Sequence, residues 1–242
     1  MIVTASPAAL VVVHTSLVQR VVREAPAVTR GGVARLVTMV PLDDKRRQKL
    51  AEVVSGMLSV ERMENDVAVL VERALGDDLA AVTAGLTRSD VSAVISAAMA
   101  EVPDGELERF VADPKALPDA RRKRVKALVD VTWSPSTVDA LTRAPVAAAG
   151  RIVASALERG APGEDEKRGE LSRIADTPRP GDARALVVAF AFLWRDLDDV
   201  TLDSAQEWFA GDLGRRSTEA LVASSLAALD GVAAAIEAEV AR

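Results

Sequence analysis

In segment after segment of this chain, apolar residues return at spacings of three and four, and they rarely alternate. That period gathers them on one face of an α-helix, whereas a half-buried strand needs a period of two. Leu50, Val53, Val54 and Met57 form one such stripe, and Val91, Val94, Ile95 and Ala98 another. The fold class read from this pattern is all-α, a multi-helix bundle. Composition agrees: tyrosine is absent, aromatic residues make up only 3%, and alanine-rich stretches are frequent. Asp104-Gly105 sits in Glu-Val-Pro-Asp-Gly-Glu-Leu, where it leads into a helix rather than closing a hairpin.

Capping residues and breakers divide the pattern into elements. Pro7 opens a first helix to about Glu24, stopped by Pro26, and Gly31-Gly32 marks a flexible break before a short helix over 33–39. Helices follow over 43–57, from a Ser59 cap to about 75, over 77–84, from a Ser89 cap to about 100, and over 104–112. Beyond Pro114 and Pro118 come a helix over 119–131 and another begun by Ser134-Pro135, which Pro145 kinks or divides before about 158. Loops are expected around 160–169 and 177–181, with a short helix between them. The strongly apolar 182–197 is read as a central helix, followed by helices over 201–210 and 213–241.

Comparison of the chain with itself suggests an internal duplication. Arg46-Arg-Gln-Lys-Leu-Ala-Glu-Val-Val aligns with Arg121-Arg-Lys-Arg-Val-Lys-Ala-Leu-Val, continuing to Ser59 against Ser134, 75 positions apart. Glu101 to Phe110 aligns with Asp199 to Trp208, 98 positions apart, and the 23-residue difference equals the length of 160–182. The expected organisation is an N-terminal helical segment over 1–41, a helical half over 42–118, and a second half over 119–242 carrying an inserted loop, 160–182. The two halves are expected to share a core.

The stretch Leu197 to Arg216, with the long alanine-rich segment after it, resembles a bacterial helical family of unknown function. That family carries a Leu-x-x-Phe-x-x-Ser-x-x-Gly-Lys/Arg signature near its C-terminus. The resemblance implies a helical fold and assigns no catalytic residue. It makes Gly214 a helix-packing or capping position. The first copy departs from the signature, having Asp113-Pro-Lys-Ala-Leu-Pro118 where the Gly-Arg end would fall.

Function classes are narrowed mainly by what the 242 residues lack. There is no cysteine, which removes disulfides and thiolate chemistry, and one histidine, His14, which cannot supply a histidine-pair zinc site. No phosphate-binding, dinucleotide-binding or nucleophile-elbow motif is present. An enzyme is therefore not the leading expectation, and neither a catalytic residue nor a cofactor is assigned. The net charge of −6 disfavours a dominant nucleic-acid surface. No unbroken apolar run approaches the roughly 20 residues of a membrane span. The N-terminus shows no charged leader, so the cytoplasm is the default compartment, with a trimmed exported chain as the alternative.

The leading functional expectation is a non-enzymatic structural or adaptor protein that works through protein contacts and self-association. It is motivated by the amphipathic terminal helices and a mean hydropathy of +0.15. The candidate contact residues are Arg46 and Arg47, Arg121 and Arg122 of the two basic runs, and Leu226, Leu229 and Ile236 of the terminal stripe. An alternative is a carrier of a hydrophobic ligand or lipid, with Phe190, Phe192, Leu193 and Trp194 lining a pocket between the halves. A third is a metal-dependent enzyme using Asp196, Asp198, Asp199 and Asp203. That run lacks the oxygen ligand and glycine of a calcium loop, having Val200 and Thr201 there, and helix capping explains it more simply.

Overall fold

A computed structural model describes residues 3–113, 117–157, 163–176 and 183–241. The fold is all-α, and among the described residues there is no strand. Thirteen α-helices are present there: α1 (Pro7–His14), α2 (Gln19–Val37), α3 (Asp44–Met57), α4 (Val60–Leu75), α5 (Leu79–Leu86), α6 (Ser89–Ala98), α7 (Glu106–Ala112), α8 (Asp119–Thr132), α9 (Pro135–Ser155), α10 (Glu164–Asp176), α11 (Ala183–Leu193), α12 (Asp199–Ala210) and α13 (Asp212–Val240). A 3₁₀ turn, Gly76–Asp78, precedes α5.

The chain forms two compact units, each built from three separate stretches. The first comprises Met1–Arg20, Ala68–Val138 and Pro180–Val222, and the second Val21–Val67, Asp139–Arg179 and Ala223–Arg242. This division differs from the contiguous 1–41, 42–118 and 119–242 anticipated from sequence, because apolar stripes far apart in the chain bury against one another.

In the first unit α12 packs on α8 and α6, α11 packs on α8 and α7, and α1 lies against α5. Its centre is Trp194, which has no exposed surface and donates its indole N–H to the Val94 carbonyl at 3.0 Å. The Phe190 ring lies 4.7 Å from that of Trp194, and Phe110 meets Phe192 edge-on at 5.5 Å. Leu128, Leu202 and Phe209 add to the same interior. The second unit buries Leu50 and Val54 of α3, Ile152 and Val153 of α9, and Leu229, Val232 and Ile236 of α13.

Several local breakers act differently from expectation. The first helix stops at His14 because the hydroxyls of Thr15 and Ser16 donate to the carbonyls of Val11 and Val13. Pro26 then lies inside α2, which buries Val22, Ala25, Pro26, Thr29, Val33 and Leu36. Continuous burial of that stripe outweighs the roughly 3 kcal/mol that an interior proline costs. Gly31 and Gly32 are helical too. A Cβ on Gly32 would come within 2.8 Å of that of Ala149, so Gly32 lets α2 approach α9. Pro145 is buried within an undivided α9. Ser89 is the first residue of α6 and makes no capping bond there, whereas Ser59 and Ser134 do accept from the N–H groups of Arg62 and Thr137.

The expected inserted loop, 160–182, contains helix α10 in its described part. Glu164, Asp165 and Glu166 in its first turn and Arg173 in its last suit the helix dipole, and Leu171 is buried. Residues 160–162 and 177–182 lie outside the described residues.

Helix α13 is long and apolar enough to cross a membrane by length and composition, and half of its apolar window is buried within the protein. Counting unbroken apolar runs misses it, because serines, Asp230 and Gly231 interrupt the run. Its buried positions, Gly214, Ser217, Ala220, Leu221, Ser224, Ser225, Ala228, Leu229, Val232, Ala233 and Ile236, follow one face.

Gly214, near the start of α13, has a backbone reason to be glycine. A Cβ there would lie 2.6 Å from the Phe209 Cα and would also strike the Trp208 carbonyl. Since backbone yields less readily than a side chain, Gly214→Ala is expected to destabilise the fold by about 1–3 kcal/mol. Urea denaturation of the two proteins measures this, and equal midpoints would remove the close-packing role.

Candidate interaction surfaces

On α8, Arg121 continues the buried stripe of Val125, Leu128 and Thr132 toward the N-terminus, and Arg124 flanks it. Arg121 donates from Nη1 to Asp199 Oδ1 at 2.5 Å and from Nη2 to the carbonyls of Trp194 and Leu197, both at 2.6 Å. Arg124 donates from Nε to both Asp203 oxygens at 3.0 and 3.1 Å, and from Nη1 to Asp199 Oδ2 at 2.8 Å. Arg122 pairs with Asp119 at 3.1 Å and also donates to the Leu117 carbonyl. The second basic run is therefore largely engaged within its own unit, and the Arg121 side chain is only 17% exposed.

The acidic run is absorbed by the same network. Asp198 caps α12, its carboxylate accepting from the Thr201 N–H at 2.7 Å, while Asp199 and Asp203 hold the two arginines. Asp196 lies 3.6 Å from Arg195. Among the described residues no three His, Cys, Asp or Glu side chains converge as a metal site, and of the four candidates Asp198, Asp199 and Asp203 are turned to the helix end and the arginines. Carboxylates directed at arginines and at a helix end do not converge on a cation.

A neighbouring cluster escaped the sequence reading. Ser204 Oγ donates to Asp90 Oδ2 at 2.5 Å, and Arg88 Nη2 donates to the same oxygen at 2.7 Å, tying α6 to α12. Arg88 and Asp90 are local to the start of α6, but Ser204 lies 114 positions away and nothing in the sequence announces it. Burial opposes ionisation of Asp90, yet the hydrogen bonds from Ser204 and Arg88 prevail and hold its pKa below the usual value. The backbone and side-chain bonds of Thr201 lower that of Asp198.

The first basic run has a different setting. Lys45, Arg46 and Lys49 of α3 line a cleft of about 740 Å³ in the second unit, together with Arg168 of α10. The ends of α9 and α13 complete it, through Ser155, Ala156 and Leu157 and through Glu237, Val240 and Ala241. Lys49 Nζ donates to the Val240 carbonyl at 3.2 Å, and Arg168 Nη2 donates to that of Leu157 at 2.7 Å. The Arg168 Nε is buried with no hydrogen-bond partner. Arg46 is near two carboxylates, Asp43 at 3.4 Å and Glu164 at 3.6 Å. Arg47 is outside the cleft lining and lies 3.9 Å from Asp44.

An apolar groove of about 480 Å³ runs elsewhere on the second unit. Ala144, Ala147 and Ala148 of α9 and Ala223, Leu226 and Ala227 of α13 line it, with Arg151 and Asp230 also present. Of the expected contact residues, Leu226 is half-buried and Leu229, though buried, also lines the groove, while Ile236 is an interior side chain. An amphipathic pattern does not distinguish the stripe that meets the core from one that meets a partner.

The aromatic residues expected to line a ligand pocket all fall in the first unit. Trp194, Phe190, Phe192, Phe110 and Trp133 pack on one another there. His14 is exposed at the last residue of α1.

No protein-family model, curated protein or solved structure matches this chain.

Because Asp90 and Asp198 have lowered pKa values in the fold, the stability they contribute is complete above the unfolded carboxylate value. It is lost as pH falls through the lower folded values. The urea midpoint is therefore expected to fall on acidification below about pH 4. An Asp90→Asn/Asp198→Asn protein should show a shallower fall, and identical acid profiles would exclude this contribution.

Proposed function

We propose that the protein is a non-enzymatic helical adaptor or structural component that acts through protein contacts and associates with a second copy of itself. The observation that carries this reading is the alanine-lined groove between α9 and α13. Alanine side chains end at Cβ, so a neighbouring helix can approach closely, while Leu226 supplies apolar surface to cover.

The rim favours a second copy as the occupant. Arg151 donates to Asp230 at 2.6 Å and also lies 3.3 Å from Glu237, so both signs of charge border one groove. A twofold interface needs a self-complementary surface, and exchange of these ion pairs between two copies meets that requirement. The tight packing around Trp194 leaves the carrier reading with less support. The coincidence of α3 with α8 after a 75-residue shift supports an internal duplication.

Light scattering of the purified chain across concentration tests the reading. The expected mass is twice 25.5 kDa, and Leu226→Glu or Ala227→Glu should shift it toward the monomer by raising the dissociation constant about tenfold or more. A chain that stays monomeric at every concentration would overturn the self-association.

A further inference from the structure

We propose that the basic cleft of α3, α10 and the ends of α9 and α13 docks an acidic helix of a partner protein, one presenting two carboxylates a single turn apart. This deepens the adaptor reading and rests on it.

The occupant's chemistry follows from comparing α3 with α8. Both helices have 14 residues, and their boundaries coincide after a shift of 75 positions. Three buried positions coincide, Leu50 with Val125, Val54 with Val129, and Leu58 with Trp133 just beyond the helix ends, while α8 also buries Leu128 and Thr132 where α3 has the half-buried Val53 and Met57. Even the exposed pairs correspond, Arg47 with Asp44 and Arg122 with Asp119. Arg46 and Lys49 therefore occupy the places of Arg121 and Arg124 on helices whose buried faces are in the same register, that of α8 being the wider.

In the first unit, Arg121 and Arg124 receive the N-terminal turns of α12, whose Asp199 and Asp203 are four residues apart. Arg121 also gathers the carbonyls at the end of α11. The second unit presents matching parts around open space. Lys45, Arg46, Lys49 and Arg168 supply cations, and the carbonyls of Leu157 and Val240 stand at the ends of α9 and α13. An incoming helix N-terminus has free N–H groups and a positive dipole end suited to such carbonyls, and its carboxylates suit the cations.

The cleft also contains Asp43 and Glu237, and Glu164 stands by Arg46. These carboxylates limit the surplus of positive charge, so the site selects for placement of two carboxylates rather than for bulk negative charge.

The test uses the full chain and a fluorescein-labelled synthetic peptide of residues 197–210, which contains Asp199 and Asp203. Fluorescence anisotropy is expected to show salt-sensitive binding, weakened about tenfold or more when the peptide carries Asp199→Asn and Asp203→Asn. Lys45→Glu, an exposed change, and Lys49→Glu should each weaken binding similarly, with circular dichroism confirming the fold. Absence of binding would overturn the proposal, as would binding indifferent to the two peptide substitutions or to both lysine changes. Pyrophosphate that binds the cleft while the acidic peptide does not would overturn it in favour of a small anion. Light scattering on the same samples separates the two proposals. A monomer that binds the peptide removes only the self-association, and a dimer that does not bind it removes only this site.

Discussion

The first unit depends on what Arg121 does at the corner between α11 and α12. The carbonyls of Trp194 and Leu197 belong to the region where α11 has ended, and that of Trp194 accepts a turn-type bond from the Leu197 N–H at 3.1 Å in place of a helical one. One guanidinium reaches both of them and the Asp199 carboxylate. The corner is thereby secured to α8, and Trp194, within that corner, fills the interior and finds its indole partner on α6. Removing the arginine would leave half-buried acceptors without their charge-assisted bonds, so this contact is worth more than an ordinary surface pair.

The same physical problem, the unsatisfied carbonyl end of a helix beside a basic helix, has two solutions in this molecule. On α8 the cations are arginines, whose planar donors serve two or three acceptors at once, and they are held by the carboxylates of α12 beside a smaller surface hollow of about 430 Å³. On α3 the second cation is Lys49, a compact ammonium with one bond to the Val240 carbonyl, and the surrounding space remains a cleft. Matching register therefore produces a joint of paired arginines in one unit and a larger basic cleft in the other. The number and aim of the donors, together with the segments at hand, make the difference.

Close approach is the second theme. Gly32 admits Ala149, and Gly214 admits the backbone at the end of α12. Gly31-Gly32, read as a flexible break, shows the opposite case. Gly32 serves a tight helix crossing rather than a hinge, while a Cβ on Gly31 would meet open space, and sequence alone does not separate these cases.

The sequence by itself determined that the chain is helical, where most helices begin, and which residues populate their apolar stripes. Those properties follow from side-chain period and from capping within a few residues, as Ser59, Asp43 and Ser134 illustrate. It also revealed the matched basic runs and the acidic run at 196–203 as the charged features of interest. Only the tertiary structure decided that Arg121 and Arg124 are joined to Asp199 and Asp203, that Ser204 reaches Asp90, and that Ile236 faces inward. It likewise carried α2 through Pro26, because burial of a continuous face outweighed a local penalty. A local sequence encodes the geometry of each helix, but which charges meet and which stripe is covered depend on residues brought from as many as 191 positions away.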